Sequence, residues 1–187
     1  MPLVVNDGVA IHYRVEGSGH PRVLQHGFTN SSESWYELGY VEALKSKYRL
    51  ILPDTRGHGQ SDKPHELQAY TRANFAADIA AVLDDAGVRK TLYWGYSQGG
   101  AIGFAVAQFA PQRLAGLVIG RAAAAGSAFP TEPGKEDPLL TVLRRGLGEL
   151  VKLMGEWVTP AREERFLAND AAALIACREE WLMWGRT

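Results

Sequence analysis

This sequence has too few cysteines to cross-link itself. Cys177 is the single one in 187 residues, so no internal disulfide forms and no C-x-x-C pair is available for zinc. It follows the apolar run Ala171–Ala176 and reads as a small core residue rather than a nucleophile. Charge of one sign is also missing. The 20 basic and 21 acidic side chains give a net charge of −1 and fall in no blocks, which argues against a nucleic-acid partner or a polybasic membrane surface. No stretch approaches the roughly 18 apolar residues of a membrane helix. The start, Met1-Pro2-Leu3-Val4-Val5-Asn6-Asp7, has no basic leader region. The expectation is a cytoplasmic chain without a membrane span. With 46% apolar and 22% charged residues, it can bury a sizeable globular core.

What is present is a regular alternation of patterns. Leu3-Val4-Val5, the turn pair Asp7-Gly8 and the alternating run Val9–Val15 predict a hairpin. Arg22–His26 reads as a strand. A helix follows through Trp35, Leu38, Val41 and Leu44, with Ser31 and Ser34 as capping options. Tyr48–Pro53 is a buried strand. Thr71 caps a helix whose apolar face is Phe75, Ile79, Val82 and Leu83, ended by Gly87. Thr91–Trp94, an Ala-rich helix closed by Pro111, and the strand Leu114–Gly120 complete the series. Strand–helix alternation of this kind predicts an α/β fold. It would have a mostly parallel sheet, helices on both faces and the antiparallel hairpin at one edge. Ligands bind at the carboxyl ends of such strands. Three glycine-bearing loops leave those ends, after His26, after Asp54 and at Ser97, and are expected to converge there.

Residues 121–187 change character. A loop from Gly126 to Pro138 precedes one amphipathic helix marked by Leu139, Leu143, Leu147, Leu150, Val151 and Met154. A second helix starts at Thr159-Pro160 and carries Phe166, Leu167, Leu174, Ile175, Trp181, Leu182 and Trp184. The expected division is a core over 1–120 and a helical lid over 121–187. The competing reading is that these helices cover a sheet face.

The stretch Gly95-Tyr96-Ser97-Gln98-Gly99 lies between the strand and the Ala-rich helix. G-x-S-x-G alone is a weak pattern in a chain with 20 glycines. Between strand and helix it has the context of a nucleophile elbow, which exposes a serine hydroxyl at a helix N-terminus.

Two further motifs join it: His26-Gly27-Phe28, and Asp54-Thr55-Arg56-Gly57-His58-Gly59-Gln60-Ser61. Together with the elbow they resemble the α/β-hydrolases, over residues 1 to about 120. The resemblance implies that Ser97 attacks a carbonyl and forms an acyl-enzyme. The backbone N–H groups of Phe28 and Gln98 would form the oxyanion hole, supported by His26, Gly27, Gly95 and Gly99. No metal and no cofactor is implied. The implied substrate is a small apolar carboxylic ester or lactone. Ser97 disfavours the dehalogenase and epoxide-hydrolase branches, whose nucleophile is aspartate. His26, Arg56 and His58 read as residues that hold their loops.

A serine triad in this family runs Ser, Asp/Glu, His. The five histidines, His12, His20, His26, His58 and His65, all precede Ser97, and the position after Gly120 is Arg121 rather than an acid. Three readings stay open. The chain lacks the C-terminal part of a hydrolase, truncated after the sixth strand; or it uses His26 or His58 as a non-standard base; or it is a catalytically impaired, ligand-binding module. In the first case the strand Leu114–Gly120 is an exposed apolar edge, and self-association through it is expected.

Overall fold

The computed structural model describes residues 2–122, 136–155 and 158–184. Strands β1 (Leu3–Asn6) and β2 (Val9–Glu16) form the expected hairpin. Asp7 and Gly8 turn the corner at φ of 48° and 74°, a left-handed pair that suits a two-residue turn. Strands β3 (His20–Gln25), β4 (Tyr48–Pro53), β5 (Thr91–Tyr96) and β6 (Leu114–Gly120) are mutually parallel where they pair, and β2 joins β4 antiparallel. The sheet order is β1-β2-β4-β3-β5-β6. The hairpin therefore lies at one edge and β6 at the other.

Successive strand residues point to opposite faces, and this divides the core in two. Ile11, Val23, Ile51 and Tyr93 face helices α3 (Arg72–Asp85) and α4 (Gln98–Phe109). Leu24, Leu50 and Leu52 face the short helices α1 (Glu33–Glu37) and α2 (Tyr40–Leu44) through Trp35 and Val41. Thr71 caps α3 by accepting the Asn74 amide at 3.2 Å.

Three expected helices are each broken. The first is split by Gly39 at φ 76°; Ser32 is its N-cap without a side-chain bond, and Ser31 Oγ accepts from Glu33 N at 3.3 Å instead. The second is split by Gly146 at φ 116° into α5 (Pro138–Arg145) and α6 (Leu147–Met154). Left-handed φ is strained for any residue with a Cβ, and glycine takes it without cost. The third becomes α7 (Pro160–Leu167) and α8 (Ala171–Met183), because Asp170 caps a new helix by accepting the Ala173 amide at 2.9 Å. The apolar pattern runs on through the Gly146 break, since Leu143 of α5 and Leu150 of α6 meet Leu174 of α8 in one cluster. Most of the expected loop from Gly126 lies outside the described residues.

Helix α8 is not peripheral. Ala173, Ala176, Cys177, Trp181 and Trp184 belong to the same buried cluster as α3, α4 and the sheet. Arg178, fully buried, donates to both carboxylate oxygens of Asp137 at 3.1 and 2.6 Å. Asp137 Oδ1 also accepts the Leu140 amide at 3.0 Å, so one carboxylate caps α5 and ties it to α8.

Candidate active site

Strand β5 passes into α4 with no spacer but Ser97. The serine is the N-cap of α4 at φ 54°, ψ −119°, a conformation that an L-residue adopts only under constraint. The constraint is local. Its amide donates to Gly120 O at 2.7 Å, and its carbonyl accepts from Gly100 N at 2.9 Å and Ala101 N at 3.1 Å. A Cβ on Gly95 would stand 2.2 Å from Gly99 O, and one on Gly99 would stand 2.3 Å from Gln25 O and 2.6 Å from His26 O. Only glycine lets strand and helix meet this closely.

The loop after β3 lies against the elbow. A Cβ on Gly27 would come within 3.2 Å of Ser97 Cβ and 3.3 Å of Tyr96 O. The Phe28 carbonyl accepts from Thr29 Oγ1 at 2.6 Å and Asn30 Nδ2 at 3.3 Å, which turns the loop. Among the described residues, no backbone carbonyl takes up the Phe28 or the Gln98 amide.

The second loop is sewn to the first. His26 Nε2 accepts the Thr55 amide at 3.0 Å, so its hydrogen sits on Nδ1, which donates to Gly27 O at 2.9 Å. Gln25 Nε2 donates to Thr55 Oγ1 at 2.8 Å. The three glycine-bearing loops thus converge. Both nitrogens of His26 are committed, and burial pushes its pKa down.

Asp54 organises the rest. Its oxygens accept the Ser32 amide at 2.7 Å, the Gln60 amide at 3.0 Å and His12 Nδ1 at 2.9 Å. Burial alone would raise its pKa; His12 and these amides outweigh that and hold it well below the usual carboxylate range. Arg56 donates twice to Asp78 and once to Ala69 O, each at 2.6 Å, and so pins the loop to α3. His58 Nδ1 meets Arg56 O at 3.2 Å, and burial lowers its pKa to about 3. These groups build the loops.

No described residue hydrogen-bonds Ser97 Oγ. His26 is spent on backbone, the Nε2 atoms of His12 and His58 are buried without partners, and His65 meets Asp170 at 3.1 Å. Arg121, at φ 51°, follows β6. Among the described residues, no three His, Cys, Asp or Glu side chains gather as metal ligands, and no helix is long and apolar enough to cross a membrane.

Residues 23–174 match the family model described as alpha/beta hydrolase fold. The chain belongs to that family. A curated relative, epoxide hydrolase 3 of Siraitia grosvenorii, is 29% identical over 170 residues, which are 90% of this chain and 51% of the relative. A solved esterase from Rhodococcus sp. ECU1013 is 31% identical at a TM-score of 0.73, over 94% of this chain and 70% of its own. A solved enzyme described as degrading N-acyl homoserine lactones is 27% identical at 0.72, over the same shares. The chain spans about half or less of the length of the curated relatives it matches. This alpha/beta hydrolase carries serine at position 97, and epoxide hydrolases are among its relatives.

Several anchors of the site were invisible in the hydrolase motifs. His12 sits in an alternating strand, Asp78 on a helix face, and Cys177 stands 79 residues along from Gln98, with Gln98 Nε2 reaching its Sγ at 3.0 Å. Only Asp78, an acid on the buried side of an amphipathic helix, leaves a signal in the sequence.

Proposed function

We propose that this chain carries the nucleophile and oxyanion hole of a serine hydrolase for small apolar carboxylic esters or lactones. A base takes the Ser97 hydroxyl proton as Oγ attacks the carbonyl carbon, and that proton later goes to the leaving group. The carbonyl oxygen becomes an oxyanion held by the amides of Phe28 and Gln98. Each such donor is worth about 3–4 kcal/mol in the transition state. Collapse expels the alkoxide, which takes up a proton, and water then cleaves the acyl-Ser97 ester. The observation that carries this reading is Ser97 at φ 54°, at the start of α4, with the Gly27 backbone against its Cβ. The esterase and lactone-degrading relatives support the substrate class.

The base lies outside these 187 residues, in a longer chain or on another one. The engagement of His26 by two backbone groups and the orphaned Nε2 of His58 support this over either histidine as base. Residues 121–187 act with that site as its helical cover. The β6 edge, with Val118 at 42% exposure, serves self-association.

The test supplies the base from solution. Incubation with a p-nitrophenyl ester and imidazole is expected to release nitrophenolate and acylate Ser97, located by peptide mass spectrometry. Ser97→Ala should lose the acylation and keep only the release that imidazole gives without protein. Equal release by Ser97→Ala, or acylation only elsewhere, would overturn the reading. The non-catalytic, ligand-binding reading is favoured by the unpartnered Ser97 Oγ, and it predicts that imidazole restores nothing.

A further inference from the structure

The loop after β3 closes as a turn, with Asn30 N donating to Gly27 O at 3.2 Å. The third residue of that turn, Thr29, stands at φ 65° and is 7% exposed. A left-handed residue at the third place of such a turn is ordinarily Gly or Asn. A β-branched side chain is strained there, so the surroundings must hold the shape. The Phe28 amide belongs to the first peptide of the turn, and the shape of the turn fixes where that amide points.

The hold comes from 140 residues away. Asn169 lies between α7 and α8, and its Nδ2 donates to Thr29 O at 3.1 Å. The same nitrogen meets Arg165 O and Phe166 O, each at 3.2 Å, where α7 leaves its last carbonyls without helical partners. Three carbonyls around one atom identify it as the amide nitrogen. One side chain therefore caps α7 and grips the strained residue. Helix α7 is itself anchored beside the loop. Glu37, at the end of α1, meets both Arg162 and Arg165, and its Oε2 accepts from Arg165 Nη2 at 2.9 Å. On the other side of Asn169, Trp181 of α8 lies 6.1 Å from the Phe28 ring.

We infer that Asn169 is a positioning residue for the loop that carries the Phe28 amide: by holding the Thr29 carbonyl, it keeps the Gly27–Asn30 turn left-handed at its third residue. The inference rests on the reading of the Phe28 amide as an oxyanion donor. Without the bond, Thr29 relaxes to negative φ, the turn changes type, and the Phe28 N–H swings away from the ester carbonyl. An oxyanion donor acts on the transition state more than on the bound ester. Its misplacement therefore lowers the rate of acylation and leaves ester binding in place.

Two measurements on the whole chain test this. In NMR, a residue at positive φ brings its amide hydrogen close to its own Hα and gives an intense cross-peak between them. The parent chain is expected to show that cross-peak at Thr29, and Asn169→Ala to lose it. Adding Thr29→Asn, a side chain that tolerates the left-handed region, should restore it at position 29. In imidazole-assisted acylation by a p-nitrophenyl ester, Asn169→Ala should lower the maximal rate about tenfold and hold the half-saturating ester concentration within about twofold. The double variant should recover most of the rate. A parent chain without the cross-peak overturns the inference, as does a cross-peak unchanged in Asn169→Ala, or its loss with an unchanged rate. Should Asn169→Ala not fold, Asn169→Leu, which fills the same space without a donor, is read in its place. A parent chain that shows the cross-peak but acylates nothing overturns the reading of Ser97 instead, and the cross-peak in the variants still decides whether Asn169 sets the turn.

Discussion

Arg56 and Asp78 meet in the interior through two parallel hydrogen bonds of 2.6 Å, with side chains 1% and 6% exposed. Asn6 Nδ2 adds a third bond to Asp78 at 2.7 Å. The pair fastens the loop after β4 to α3 and the β1 end. Removing one partner strands the other charge in low dielectric. Asp78→Ala is therefore expected to cost about 3–5 kcal/mol in urea unfolding. A loss below about 1 kcal/mol would show that the loop stands without it.

Acid should destabilise the fold through buried histidines. Burial holds His58 near pKa 3 and pushes His26 below its ordinary value. Both are depressed in the folded state. Their stabilisation is complete above the unfolded pKa of about 6.5 and is lost as pH falls towards the folded values. Each contributes a slope of about 1.4 kcal/mol per pH unit in that window. Asp54, also depressed, adds a further loss only below about pH 4. His58→Phe should flatten the unfolding free energy between pH 6 and 4 by about one proton, measured by denaturant titration at each pH.

Strain at the elbow predicts that Ser97→Gly stabilises. The serine's φ of 54° and ψ of −119° lie in a region open to glycine. Relief of strain, partly offset by glycine's larger unfolded entropy, should give about 1 kcal/mol. Thermal unfolding would show a higher Tm together with loss of ester acylation. A lower Tm would mean that the Ser97 side chain itself holds the fold.

Gly99→Ala should act in the opposite direction. The added methyl would meet two backbone carbonyls, Gln25 O and His26 O, at 2.3 and 2.6 Å. Backbone cannot rotate aside, so β3 and α4 must part. The expected loss is about 1–3 kcal/mol or more, with acylation of Ser97 abolished. An unchanged Tm would contradict the close approach.

At the β6 edge, Val118→Lys is expected to turn a concentration-dependent oligomer into a monomer in sedimentation velocity. Val118 lies beside Trp94 in register, and a charge there blunts strand pairing. A parent chain that stays monomeric at high concentration would refute self-association through this edge.

The strands and their order along the chain were legible because each is a short apolar run between turn residues. The Asp7-Gly8 turn, the Thr71 cap and the elbow glycines carried their own signatures. Helix breaks were less legible. Gly39 and Gly146 were present in the sequence, yet apolar periodicity crossed Gly146 undisturbed, since both halves face one cluster. The backbone shapes at Gly27, at Asp54–Ser61 and at Ser97 could be read from motifs, because each motif is a local shape that particular residues permit.

Sequence by itself determined the local shapes: which segments are strands, where glycine is required, and that no histidine follows Ser97. Tertiary structure alone decided which distant groups meet. It committed His26 to Gly27 and Thr55, joined Arg56 to Asp78, and seated Cys177 and Trp181 of α8 on Gln98 and Phe28. The physical reason is range. Turns and caps depend on neighbours a few residues away, whereas burial, pairing and orphaned polar atoms depend on packing between segments that the chain order does not place together.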